Sequence, residues 1–190
     1  MSMTVTRRKD TKTPRVLMHK IADIRGGVSI NVTELNVDYL PEGTPIGAAV
    51  DGISHVVKYA LVQANATDSA TQIKVHKGNN FQVGDVVCAA ENGAAYAITA
   101  INTSNSAYDE LTVGTTLGVA LSKDVTYIFQ AAEAGASGAA LKYAPLAITG
   151  TGVKVEPNTN LNVDAWIFAV TKGNNLPSLI AGKLKGVVNY

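Results

Sequence analysis

The chain has 190 residues, 46% of them hydrophobic but only 6% aromatic, and its 16 Lys and Arg against 15 Asp and Glu leave a net charge of +1. At about 100–200 residues per domain this length allows one domain or two small ones, and the core must be built from Ala, Val, Ile and Leu rather than large rings. The near-neutral balance argues against a global attraction to nucleic acid, and no apolar run reaches the roughly 20 residues that a membrane helix needs.

The charge is unevenly placed. Residues 1–27 form a basic N-terminal arm: Arg7, Arg8, Lys9, Lys12, Arg15, Lys20 and Arg25 stand against Asp10 and Asp23, which leaves the remaining chain mildly acidic. A solvated tail, a nucleic-acid contact and a strap docked on an acidic partner all fit such an arm. It holds no aromatic residue before Tyr39 on which a base could stack, so nucleic acid is the weakest of the three. The opening Met1-Ser-Met-Thr-Val-Thr-Arg-Arg-Lys9 stays polar where a secretory leader turns apolar, which points to synthesis in the cytoplasm.

Beyond the arm, alternation is the dominant pattern. Ser29–Val37 places Ile30, Val32 and Val37 among polar residues and predicts a strand with a slip near Leu35. Two prolines and two glycines in Tyr39–Gly47 forbid a helix there. Asp51-Gly52 marks a turn, and Val56–Val62 predicts a strand buried on both faces.

From Thr71 to Gln130 one pattern occurs twice. Ile73-Lys74-Val75, a loop and Val83–Ala90 are matched by Leu111-Thr112-Val113, a loop and Leu121–Ile128, with Asp85 and Asp124 at equivalent tight turns. Ala95–Ile101 predicts a connecting strand between the copies. Two such units about a pseudo-twofold axis would make a small barrel, although two unrelated hairpins would give the same pattern. Ala131–Ala140 carries Gly135 and Gly138 and reads as a linker. Pro145–Thr149, Val153–Val155 and Ala165–Val170 predict further strands, with Trp166 and Phe168 packing into the core, and Leu179–Val188 ends in a final strand. The fold class expected is all-β: β-sandwich or barrel-like lobes, with a small β-barrel-like lobe inserted in the chain. The boundaries are 1–27 for the arm, 28–62 plus 140–190 for an outer β lobe, and 63–139 for the inserted lobe.

The residues supply little for chemistry. His19, His55 and His76 are widely spaced, and His55 and His76 read as surface loop residues. The lone cysteine, Cys88, lies among Val86, Val87, Ala89 and Ala90 and reads as a small buried side chain. Asn-x-Ser/Thr triplets at Asn31, Asn65 and Asn102 read as turn residues. No zinc, calcium, nucleophile-elbow or phosphate-loop motif is present. The expectation is therefore no catalytic residue, no cofactor and no metal, in a protein that is not an enzyme.

Three stretches, Leu40–Gly47, Lys74–Val87 and Tyr108–Val113, resemble head fibre and capsid decoration proteins of tailed phages and prophages. The likeness extends in general character over residues 28–175. It implies a virion structural protein on the outer capsid surface, a homo-oligomer with a trimer favoured, whose partner is phage capsid protein and which needs neither membrane nor catalysis. No binding residue of that family maps onto a numbered position, so the candidate capsid contacts, Arg7, Arg8, Lys9, Lys12, Arg15 and Lys20, come from charge and chain position. A carbohydrate-binding or adhesion module is the alternative, and it would present Trp166 or several of the seven tyrosines on one concave face.

Overall fold

The computed structural model describes residues 15–156 and 159–190. Its strands are β1 (Leu17–Asp23), β2 (Val28–Ile30), β3 (Tyr39–Leu40), β4 (Pro45–Gly47), β5 (Tyr59–Leu61), β6 (Gln72–His76), β7 (Val86–Cys88) and β8 (Ala95–Asn102). They continue with β9 (Tyr108–Val113), β10 (Tyr127–Gln130), β11 (Pro145–Thr149), β12 (Val153–Lys154), β13 (Leu161–Val163), β14 (Ala165–Thr171) and β15 (Val187–Asn189). One helical turn, α1 (Ser178–Ala181), precedes β15. The protein is all-β, as its alternating sequence leads one to expect.

One sheet runs β1-β14-β11-β4, with β15 added parallel to β14. Short pairs β3·β12 and β2·β13 flank it. Ile30, Leu40, Ile46, Val56, Ala147 and Ala165 fill the space they enclose.

The second sheet, β5-β10-β7-β8-β9-β6, is closed into a barrel by a bridge between Val62 and Val75 that joins its first and last strands. Its interior is filled by Ile73, Val75, Phe81, Ile98, Leu111 and Ile128 among others. Closure leaves no free edge, which removes the usual template for unwanted strand pairing. The barrel has a pseudo-twofold axis. Exchanging β5 with β8, β6 with β9 and β7 with β10 reproduces the strand order, and the Val62–Val75 bridge has its counterpart in Ile98–Val113. Ile73 pairs with Leu111 and Cys88 with Phe129 where the two halves meet. The repeating unit is thus three strands. β8 is the second copy of β5 rather than a connector between copies.

The two sheets share a strand path and a core. Residues 55–57 pair with β4 through Val57 N–H to Pro45 O, 3.0 Å, and Gly47 N–H to His55 O, 2.9 Å. Two residues on, from Tyr59, the same extended run pairs with β10 in the barrel. Lys58 sits at this crossing. Around it Val57, Cys88, Phe129, Ile148, Ala169 and Ile180 form one apolar cluster drawn from both sheets.

Three expected elements differ. The strand foreseen over Ser29–Val37 stops at Ile30, because Asn31 Oδ1 accepts the Thr33 N–H at 3.0 Å and turns Val32–Glu34 into a 3₁₀ helix. A short polar side chain that satisfies the backbone locally competes with the sheet ladder. The long final strand is α1, a turn and β15, since Pro177 starts a helical turn whose Ile180, with Leu184 beyond it, reaches the core. Phe168 is 51% exposed rather than packed in the core, and lies over Gly186, where a Cβ would meet its ring.

Candidate functional site

Among the described residues the most buried ionic group stands at the strand crossing. Lys58 is 2% exposed, and its Nζ donates to Asp85 Oδ2 at 2.8 Å. Asp85 holds the tight turn before β7: Oδ2 also accepts the Gln82 N–H at 2.9 Å, and Oδ1 accepts Gln130 Nε2 at 2.8 Å. Gln130, 3% exposed on β10, lies directly across from Lys58 and donates its backbone N–H to Lys58 O at 3.1 Å. Its other side-chain polar atom, Oε1, is buried and has no hydrogen-bond partner among the described residues. Burying opposite charges is offset by good geometry and further hydrogen bonds, which both Asp85 oxygens make, whereas the neighbouring Gln130 Oε1 is left unsatisfied among the described residues.

A second cluster lies on the outer lobe. His55 Nδ1 is 2.8 Å from Glu34 Oε2, and the Tyr143 hydroxyl donates to Glu34 Oε1 at 3.0 Å. The His55 and Tyr143 rings stack at 4.2 Å. Burial, then the bond to Glu34, raises the Tyr143 hydroxyl to about 12. His55 is therefore a half-buried member of a polar cluster and not the surface loop residue expected, because its neighbours 54, 56 and 57 are carried inward by the crossing strand. Gln82 Nε2 donates to Thr33 O at 2.9 Å, tying the barrel turn to the outer lobe.

Loop 77–81 of the barrel is fixed from within. Asp109 accepts Lys77 Nζ at 2.6 Å and Asn79 Nδ2 at 2.9 Å, while Asn79 Oδ1 accepts the Phe81 N–H at 3.2 Å. His76, at the end of β6 and well exposed, meets Asp124 at 2.8 Å beside the Val62–Val75 seam. Between this loop and the crossing strand opens a cleft of about 260 Å³, walled by Val57, Lys58, Tyr59, Asn79 and Tyr127 among others.

Of the expected capsid contacts, Arg7, Arg8, Lys9 and Lys12 lie outside the described residues. Arg15 is exposed just before β1. Lys20 is a strand residue: it pairs with Ala169, reaches Asp164 at 3.4 Å and lies over the Trp166 ring at 5.2 Å. Burial alone would raise the Asp164 carboxyl, but the Trp166 indole N–H, the Lys20 ammonium and the Thr151 hydroxyl outweigh it and hold it below its ordinary value. Glu42 anchors the start of β1 by accepting the Val16 and Leu17 N–H groups at 2.9 and 2.6 Å.

Cys88 is fully buried, and burial pushes its thiol up to about 11. The three triplet asparagines each accept a backbone N–H: Asn31 from Thr33, Asn65 from Lys123 and Asn102 from Ser104. Among the described residues no group of His, Cys, Asp and Glu is placed to hold a metal, and no helix is long and apolar enough to cross a membrane. The Lys58–Asp85–Gln130 cluster was missed at the sequence level, where Asp85 registered as a turn residue only. No family model, curated protein or solved structure matches the chain.

Large apolar side chains are nevertheless exposed on neighbouring strands of the outer sheet. Met18 and Ile21 on β1, Phe168 on β14 and Val188 on β15 are all between 49% and 66% exposed.

Proposed function

We propose that the chain is a structural virion protein, a head fibre or decoration protein that attaches to the outside of a phage capsid and acts through many copies at once rather than through catalysis. The observation that carries this reading is the set of exposed apolar side chains Met18, Ile21, Phe168 and Val188 on the adjoining strands β1, β14 and β15. Apolar surface gathered in this way marks a contact with another protein. Oligomerisation through it would place several identical arms, each with Arg15 and its basic neighbours, over an acidic shell. Weak contacts repeated by symmetry gain strongly in avidity. The resemblance of Leu40–Gly47, Lys74–Val87 and Tyr108–Val113 to such proteins supports the same reading.

The test is cosedimentation of the full chain with empty shells purified from the phage or prophage that encodes it. Saturable binding, weakened by Phe168→Glu, is the expected result. Absence of binding at any salt concentration overturns the proposal.

A further inference from the structure

We propose that Lys58 and Gln130 become joined by a self-formed isopeptide bond, with Asp85 carrying the protons. This goes beyond the capsid reading and does not rest on it. Three observations lead there. Lys58 and Gln130 are cross-strand neighbours, one register step beyond Phe129–Tyr59 and linked by Gln130 N–H to Lys58 O. The Lys58 amine and the Gln130 amide nitrogen are each held at 2.8 Å on the two oxygens of one carboxylate, Asp85. The Gln130 carbonyl oxygen is buried with no hydrogen-bond partner among the described residues, so the amide carries an unsatisfied polar atom and no donor has to be displaced as the Lys58 amine approaches Cδ. Amine nucleophile, amide electrophile and carboxylate are thus brought together where water is scarce.

The step balances without an oxidant or co-reactant. Asp85 takes a proton from the Lys58 ammonium, and the freed lone pair attacks Gln130 Cδ, moving the carbonyl π electrons onto Oε1. Asp85 delivers its proton to Nε2 and takes one from the attacking nitrogen. The carbonyl re-forms, the Cδ–Nε2 bond breaks, and ammonia leaves, accepting the remaining proton as ammonium. The chain exchanges a buried ammonium and an amide for one secondary amide, whose N–H can donate to Asp85. Neither Asp85 nor Gln130 lines the cleft that Lys58 helps to wall, so ammonia must pass Lys58 to leave through it. The bond would tie β5 to β10 at the point where the chain passes from the outer sheet into the barrel.

The test is the intact mass of the purified full-length chain, denatured, followed by protease digestion. The expected result is a mass lower than the sequence value by one ammonia and a branched peptide joining Lys58 to Gln130. Asp85→Asn and Gln130→Ala should each restore the unlinked mass for their own sequence. The full sequence mass in the wild-type chain overturns the proposal whether or not the variants fold. So does loss of one water with Lys58 joined to Asp85, and so does ammonia loss with Lys58 free, as a succinimide at an asparagine would give.

Discussion

Ile73 lies directly across from Leu111 in the antiparallel pair β6·β9, and both are buried, at 1% and 0% exposure. The pseudo-twofold axis of the barrel passes between them, so each residue supplies one half of the same central contact. Ile73→Ala and Leu111→Ala should therefore cost similar amounts, about 2–5 kcal/mol each for a large aliphatic side chain lost from a core. Denaturant unfolding measures both, and a cost below about 1 kcal/mol at either site would deny the shared core.

Asp109 organises loop 77–81 by accepting from both Lys77 and Asn79. Asp109→Ala leaves the Asn79 amide, itself buried, without its carboxylate partner and weakens the hold of Asn79 on the Phe81 N–H. The expected loss is about 1–3 kcal/mol, with faster hydrogen exchange at the Phe81 amide than elsewhere in the barrel.

Tyr59 and Tyr143 both have hydroxyls raised to about 12, chiefly by burial, with Tyr127 adding to the rise at Tyr59 and Glu34 at Tyr143. Unfolded tyrosines ionise near 10. The unfolded chain therefore gains from ionisation first: stability is unaffected by these two groups below about pH 10 and falls as the pH climbs toward 12. Ultraviolet titration should show two phenols ionising late, or only together with unfolding. Cys88 should likewise resist a thiol reagent at about pH 8 in the folded protein and react on unfolding.

The sole tryptophan reports on Asp164. The folded carboxylate is held below its ordinary value by Trp166, Lys20 and Thr151 against the opposing effect of burial. Its contribution is present above the unfolded carboxylate value and is lost as the pH falls through the lower folded one. Trp166 emission should stay constant through the usual carboxylate range and change only in stronger acid. Asp164→Asn should abolish that change. Gly150→Ala should disturb the same emission at neutral pH, because its Cβ would collide with Trp166 Nε1 and Asp164 Oδ2.

The β character and the paired motif around Ile73 and Leu111 were legible because alternation and turn residues are local signals. The three-strand unit was not: Tyr59-Ala60-Leu61 in β5 and Tyr96-Ala97-Ile98 in β8 are similar, but so short a match lies outside the paired motif, and the equivalence of the two strands is set by their long-range pairing. Phe168 looked like core because a strand with mixed apolar faces does not say which face is covered. The Asn31 cap was hidden inside a pattern that also alternates. Nothing in the spacing of Lys58, Asp85 and Gln130 announces that they meet. Their proximity is created by the crossing strand and barrel closure, which no window along the chain contains.

Multivalent attachment requires that identical chains associate through the surface they expose. Sedimentation equilibrium of the full-length protein measures this most directly. A single species of three chains across the concentration range, reduced to smaller species by Phe168→Glu, is the predicted result. The mass of one chain at every concentration would contradict it.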